Sequence, residues 1–228
     1  MDIARSQSQT GGDMPRRIDV ENDTAAGESR YEPTQRRAIR TRDEIVAIAA
    51  RAFDARGYAA ASMSAIVSES YLSKGSIYFH FPSKESIARY LVAGWIGAVE
   101  RSIVEAAGAR VSRIEQLRVV CADLTERVGS DVALRSGMKL TIDPALGDGS
   151  AFSRWVALAE VLIESAVAAG EVDDTPVVRR LAWNVCAGMV GIACASAVVE
   201  GVNDSGCRIA DVVNAHIDVV VNNRNGSA

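Results

Sequence analysis

Apolar residues recur along this chain at helical spacing, and no segment alternates with period two over a useful length. The pattern predicts an all-α fold of about nine helices. Ile39, Ile45, Ile48, Ala49, Ala52 and Phe53 share one face of a first helix over 35–56. Gly57 closes it, with Tyr58 able to make the hydrophobic contact beyond the cap. Ser62 is a good N-cap for a short helix over 63–69 that buries Ile66 and Val67, and Ser73 caps another over 74–80. Pro82 interrupts, and Ser83 with Glu85 opens a long helix to about Ala107, stopped by Gly108. Ser112 and Glu115 form an S-x-x-E capping box for a helix ending at Gly129, and Asp131 starts the next, to about Ile142. After the loop DPALGDG (143–149), Ser150 caps a helix to Ala169, closed by Gly170. Thr175-Pro176 is an N-cap followed by proline at the first helical position, opening a helix to about Glu200. A last helix covers 207–222. Residues 1–32 are polar and aperiodic, and read as a flexible tail. The chain then divides into a first unit at 33–82 and a helical remainder at 83–228.

At 228 residues the chain can hold one large or two small domains. Its 48% hydrophobic and 24% charged residues exclude a mostly disordered protein. The four cysteines, Cys121, Cys186, Cys194 and Cys207, form no CxxC pair, and there are two histidines, His80 and His216. That argues against a zinc site or a disulfide framework; no metal and no cofactor is expected. Reduced, buried cysteines in a cytoplasmic protein are the expectation. The N-terminus lacks the apolar core of a signal peptide. Leu181–Val199 runs 19 residues without a charge and could just span a bilayer. Its Ala, Gly and Cys suit a tightly packed helix interface better, so no membrane is expected.

Charge changes the picture. The net charge is −4, yet residues 30–90 carry +4, between segments of −3 and −5. A basic stretch inside an acidic chain suggests a module that binds a polyanion, although a solvated charged face would look the same.

The run SMSAIVSESYLSKGSIYFHF (62–81) carries the function. Two helices of about two turns, joined by a three- or four-residue turn, make a helix-turn-helix. Ile66 and Val67 pack the first, Leu72 fills the angle, and Ile77 and Phe81 anchor the second. The opposite side of the second helix presents Ser73, Lys74, Gly75, Ser76, Tyr78 and His80. A rod of roughly 10 Å fits a major groove about 12 Å wide. It enters N-terminus first, the positive end of its dipole towards the phosphates. Lys74 adds a charge, Gly75 lets the backbone approach, and Tyr78 offers a ring and a hydroxyl. His80 and Lys84 can reach the flanking backbone. Phe79 and Phe81 read at least in part as core.

KGSIYFHFPSKESI (74–87), preceded by FDARGY (53–58), resembles the N-terminal domain of the TetR family of transcriptional repressors. Within it, the chain looks most like the γ-butyrolactone autoregulator receptors of actinobacteria. The strong match covers 37–90. The resemblance implies an all-α homodimer with an N-terminal DNA-binding domain and a C-terminal bundle for a small ligand and the partner subunit. It implies base contacts from Gly75 and Tyr78. Phosphate contacts would come from Ser73, Lys74, Phe79, His80 and Lys84, with Ser62 also touching the backbone. The family usually has glycine where this chain has Tyr71, which bears on the geometry of the turn.

The acidic C-terminal part shows no GxSxG, P-loop, GxGxxG or HExxH, so no enzyme is expected. His216 reads as a surface or interface residue. A helical bundle commonly leaves a mostly apolar pocket. The resemblance puts a pocket tryptophan at Trp155, with Trp95 and Trp183 as further candidates and Thr141 as a hydroxyl near the loop. Helices 176–199 and 207–222 are the expected dimer surface, with Met189, Ile192, Val198 and Val199 supplying apolar area. A dimer reads an approximate palindrome. The expectation is a repressor released from double-stranded operator DNA when a γ-butyrolactone-like inducer tilts helix 83–107. The alternatives are the same repressor sensing an antibiotic or biosynthetic intermediate, an all-α small-molecule-binding protein or enzyme without nucleic acid, and a protein anchored in a membrane through 181–199.

Overall fold

The computed structural model describes residues 25–199 and 204–225, with side chains over 35–199 and 204–222. Among the described residues the chain divides into two units between Ile39 and Arg40. Every described element is helical. They are α1 (Ala25–Ala60), α2 (Met63–Glu69), α3 (Lys74–His80), α4 (Lys84–Ala107), α5 (Arg113–Ser130) and α6 (Val132–Leu140). A short 3-10 turn, Pro144–Leu146, leads to α7 (Ser150–Ala168), α8 (Pro176–Arg179), α9 (Leu181–Val198) and α10 (Ser205–Asn225). The all-α expectation holds.

Of the stretch expected as a tail, residues 1–24 lie outside the described residues, while 25–32 are helical. Once α1 is nucleated it extends backwards through polar residues that carry no apolar period. Gly57 breaks α1 at φ 77, ψ 166, a conformation that glycine reaches without a Cβ penalty. Ser62, Ser73, Ser83, Ser112 and Thr175 each accept a backbone N–H at a helix start, as their positions in the sequence require.

Three local expectations are corrected. The box at Ser112 is half made: Glu115 turns its carboxylate to Arg118 instead of the cap. Gly149, in the left-handed region, stands at the cap of α7, and Ser150 is the first helical residue. Its N–H goes to Asp148, and these bonds hold the Asp148 carboxyl below the usual range. The helix expected over 176–200 breaks at Arg180 (φ −95, ψ −5) into α8 and α9.

Two hydrophobic cores form. The first joins Ile45, Phe53, Ile66, Ile77, Phe81 and Ile87 with Leu91 from α4 and Leu140 from α6. The second starts at Trp95 and gathers α4, α5, α7, α9 and α10. The first core therefore reaches past residue 82, where the unit boundary was expected, and recruits the end of α6. Asp54 on α1 strengthens that link. It pairs with Arg135 at 3.1 Å and Lys139 at 3.0 Å, both from α6.

α9 is long and apolar enough to cross a membrane, with mean hydropathy 1.7. Here Leu181, Ala182, Val185, Cys186, Met189, Val190 and Ala193 face the second core. A Cβ on Gly188 would come within 2.8 Å of Val212 on α10, so this glycine serves the α9–α10 contact within the chain.

Candidate functional site

The serine caps, the apolar anchors and the turn set the geometry of the helix-turn-helix. Ser62 Oγ accepts the Ala65 N–H at 3.1 Å, and Ser73 Oγ accepts the Ser76 N–H at 3.2 Å. Each cap uses a lone pair; the Ser62 hydroxyl also meets the Ser64 hydroxyl at 2.9 Å, while the Ser73 proton is left to donate outward. Ile66 and Ile77 are completely buried and Phe81 nearly so, while Leu72 in the turn packs on the same core. Burying each isoleucine contributes about 1.5–3 kcal/mol. That fixes the angular phase of α3.

The other face follows from that phase. Ser73, Lys74, Gly75, Tyr78 and Phe79 are exposed, and Ser76 and His80 half-exposed. A Cβ on Gly75 would meet nothing within 4 Å, so nothing inside the protein demands glycine there. The Lys74 ammonium stands 5.8 Å from the Tyr78 ring centroid. Phe79 is 85% exposed, which corrects the reading of it as part of the core. It sits two residues past Ile77, about 200° around a helix too short to bury two faces, and its ring meets the His80 ring edge-on at 5.4 Å. Tyr71 is fully exposed at the turn.

Lys84, the expected phosphate contact, has partners within the chain. Its ammonium donates to the Tyr58 and Ala61 carbonyls, each at 2.9 Å, and lies 4.3 Å from the Tyr58 ring centroid. Tyr58 ends α1 beyond the Gly57 break and Ala61 lies between α1 and α2, so Lys84 ties the start of α4 to that junction. Burial, with Glu85 nearby, raises the Tyr58 phenol above its ordinary value.

The sensing candidates do not converge on one cavity. Trp155 is buried and lines a void of about 10 Å3 with Leu117, Cys121, Leu162, Cys186 and Met189. Trp95 is buried beside it, edge-to-face at 4.9 Å. Thr141 is buried too, but its hydroxyl donates to Met138 O at 2.7 Å and closes the end of α6. It borders a different hollow, an open groove of about 580 Å3 that also includes Arg89 and Arg154. Trp183 is 57% exposed, outside the core, because its position on α9 falls between the inward-facing pairs Leu181–Ala182 and Val185–Cys186.

On the expected dimer surface, Met189 is buried in its own chain, whereas Val198 and Val199 are exposed and Ile192 is partly so. Trp183, Gly191 and Ala195 join that outer face. Of the cysteines, Cys121 and Cys186 are buried as expected, Cys194 is half-buried and Cys207 is exposed. Burial pushes the Cys121 thiol up to about 12 and raises Cys186 and Cys194 as well. Among the described residues no cluster of His, Cys, Asp and Glu could hold a metal ion.

Three features of the site gave little sequence signal. Gly137, on α6, lies against the backbone of Leu91. The Asp54 bridge has partners 81 and 85 residues away. Phe152 packs on Trp155, and its spacing of three residues before Trp155 was the one readable clue.

Residues 45–91 match the family of bacterial regulatory proteins of the tetR type. The chain is 42% identical over 66 residues to the A-factor receptor protein of Streptomyces griseus, which is 29% of this chain. The match spans about a quarter of that curated relative's length, 24%. Its fold is similar to the crystal structure of TylP, a TetR regulator from Streptomyces fradiae. That likeness has 27% identity and a TM-score of 0.60, and covers 84% of this chain and 85% of that one. A γ-butyrolactone receptor described as ArpA-like shares the fold at 23% identity and a TM-score of 0.62, covering 80% of this chain and 99% of that one. Its helix-turn-helix segment, residues 45–91, thus matches the tetR family of bacterial regulatory proteins, and its described helices are similar in fold to TetR regulators.

Proposed function

We propose that the protein is a repressor that binds a palindromic operator as a homodimer in the cytoplasm and leaves it when a γ-butyrolactone-type signal binds. The division of α3 carries the reading: Ile77 is sealed into the core while Ser73, Lys74, Gly75 and Tyr78 are left to solvent. Gly75 and Tyr78 would meet bases. Ser62, Ser73, Lys74, Ser76, Phe79 and His80 would position the helix on the phosphates. The exposed apolar face of α9, with α10, would pair with a second copy and set the spacing of the two reading helices. The names of the A-factor receptor and the ArpA-like receptor support a lactone as the signal.

Release would run through α4, which carries Leu91 in the reading core and Trp95 in the sensing core. A ligand favouring one tilt of α4 weakens operator binding by its differential affinity, a few kcal/mol. The test is binding of the full chain to the DNA upstream of its own gene, with and without a lactone. Release by an antibiotic but not by a lactone would favour the alternative sensor. Absence of any DNA binding would favour a small-molecule-binding protein of another class.

A further inference from the structure

The turn between α2 and α3 covers residues 70–73, and most of it serves the fold. The Ser70 hydroxyl donates to the Val67 carbonyl at 2.9 Å, Leu72 packs on the first core, and Ser73 caps α3. Tyr71 alone takes no part. It is fully exposed, and among the described residues no hydrogen bond or ring contact holds it. Among those residues the two most exposed aromatic rings are Tyr71 and Phe79, one just before α3 and one in its last turn. An exposed ring by itself is ordinary on a protein surface. What distinguishes Tyr71 is its place, beside the helix that would read the groove.

The charges around the turn leave room for an anion. Glu69 is the carboxylate nearest to Tyr71 in sequence, and it is drawn back onto Arg56 of α1 at 3.1 Å. No other acid occurs before Glu85. Lys74, three residues on, is exposed and has no carboxylate partner among the described residues; its ammonium lies over the Tyr78 ring instead.

We infer that Tyr71 is a further positioning residue for DNA: its phenol donates to a backbone phosphate of the strand that borders the groove on the side of the turn. This rests on the repressor reading above and adds a contact which that reading does not contain. A phenol O–H is a donor suited to phosphate oxygens. Tyrosine has only two side-chain torsions to fix, so it gives up little freedom in binding. Leu72, next in the chain, is anchored in the core, so a phosphate held by Tyr71 also fixes how α3 lies in the groove. Such a contact carries no sequence information. It is also neutral, so it adds affinity without adding to the salt slope, unlike the contact of Lys74.

The test uses the full chain, the DNA upstream of its own gene and a scrambled duplex of equal length, over about 50–200 mM salt. Tyr71→Phe keeps the ring and removes the hydroxyl. It is expected to bind both duplexes about tenfold more weakly than wild type, the size of one hydrogen bond to a charged acceptor. Its salt slope and its thermal transition should match wild type. Ethylation of single phosphates locates the contact: one modified phosphate in each half-site should weaken wild type and leave Tyr71→Phe indifferent. Wild-type affinity in the variant overturns the assignment. So does a loss confined to the duplex from its own gene, which would make Tyr71 a base contact. A loss that comes with a lowered thermal transition, and with no phosphate singled out by ethylation, overturns it as well and makes Tyr71 a structural residue. The two readings fail separately. Specific binding by wild type that Tyr71→Phe retains in full sinks this inference alone. A tenfold loss on both duplexes, in a protein with no preference for its own site, sinks the repressor reading alone; a wild type that binds neither duplex sinks both.

Discussion

Gly137 on α6 lies so close to the Leu91 carbonyl on α4 that a Cβ on the glycine would collide with it. The obstacle is backbone, which cannot rotate away. Gly137→Ala must therefore push α6 and α4 apart. Leu91 and Leu140 belong to the reading core on either side of this contact, and Trp95 and Met138 to the sensing core. Thermal or urea unfolding of Gly137→Ala is expected to show a loss of about 1–3 kcal/mol, the usual range for overpacking. Unchanged stability would mean the helices are not held at this distance.

Gly75 is the opposite case. Its Cβ position is empty, and alanine is the better helix former by about 0.5–1 kcal/mol. Gly75→Ala should fold with equal or higher stability and bind operator DNA more weakly, because the added methyl stands where the backbone meets the bases. Denaturation and a binding titration on the same preparation separate the two effects.

Neighbouring residues on α3 should split the same way. Ile77→Ala removes a fully buried side chain and should cost about 2–5 kcal/mol of stability. Tyr78→Phe should leave stability within about 0.5 kcal/mol and lower operator affinity. Lys74→Ala should reduce the salt slope of binding by about 1, the signature of one lost phosphate contact.

Lys84 carries a structural role that the sequence did not disclose. Lys84→Met keeps the stem and removes the ammonium from the Tyr58 and Ala61 carbonyls. The expected loss is about 1–3 kcal/mol in stability, from bonds to a charged donor. A Lys84→Met variant of full stability but weak DNA binding would instead favour the phosphate role.

The cysteines give a pH prediction. Cys121 and Cys186 have folded pKa values raised by burial, to about 12 for Cys121. Their protonated state stabilises the fold fully below the unfolded thiol pKa of about 8.5. As pH rises past that value the unfolded chain loses protons that the folded chain keeps, so stability falls, up to the folded pKa. In native protein near neutral pH, a thiol reagent should label Cys207 quickly and leave Cys121 and Cys186 until unfolding.

The reading helix was legible because its determinants are local. The cap at Ser73, the anchor at Ile77 and the outward Tyr78 all lie within six residues and obey the helical period. The start of α1 was not legible, since residues 25–32 have no apolar pattern to mark it. Trp183 stood beside Trp155 and Trp95 as a further pocket candidate. In α9 nearly every residue is apolar, so hydrophobicity gives no phase, and the packing alone turns Trp183 outward. The intrachain bonds of Lys84 were not legible because its acceptors lie 23 and 26 residues upstream. Thr141 and Trp155 were grouped through the loop between them, whereas one borders an open groove and the other a closed core.

The most direct test of the central claim is a titration of the full-length chain against the DNA upstream of its own gene, over about 50–200 mM salt, beside a scrambled duplex of equal length. The proposed repressor binds its own site more tightly, with log affinity falling steeply against log salt, and Lys74→Ala flattens that slope. Equal binding to both duplexes, or an affinity indifferent to salt, would contradict it.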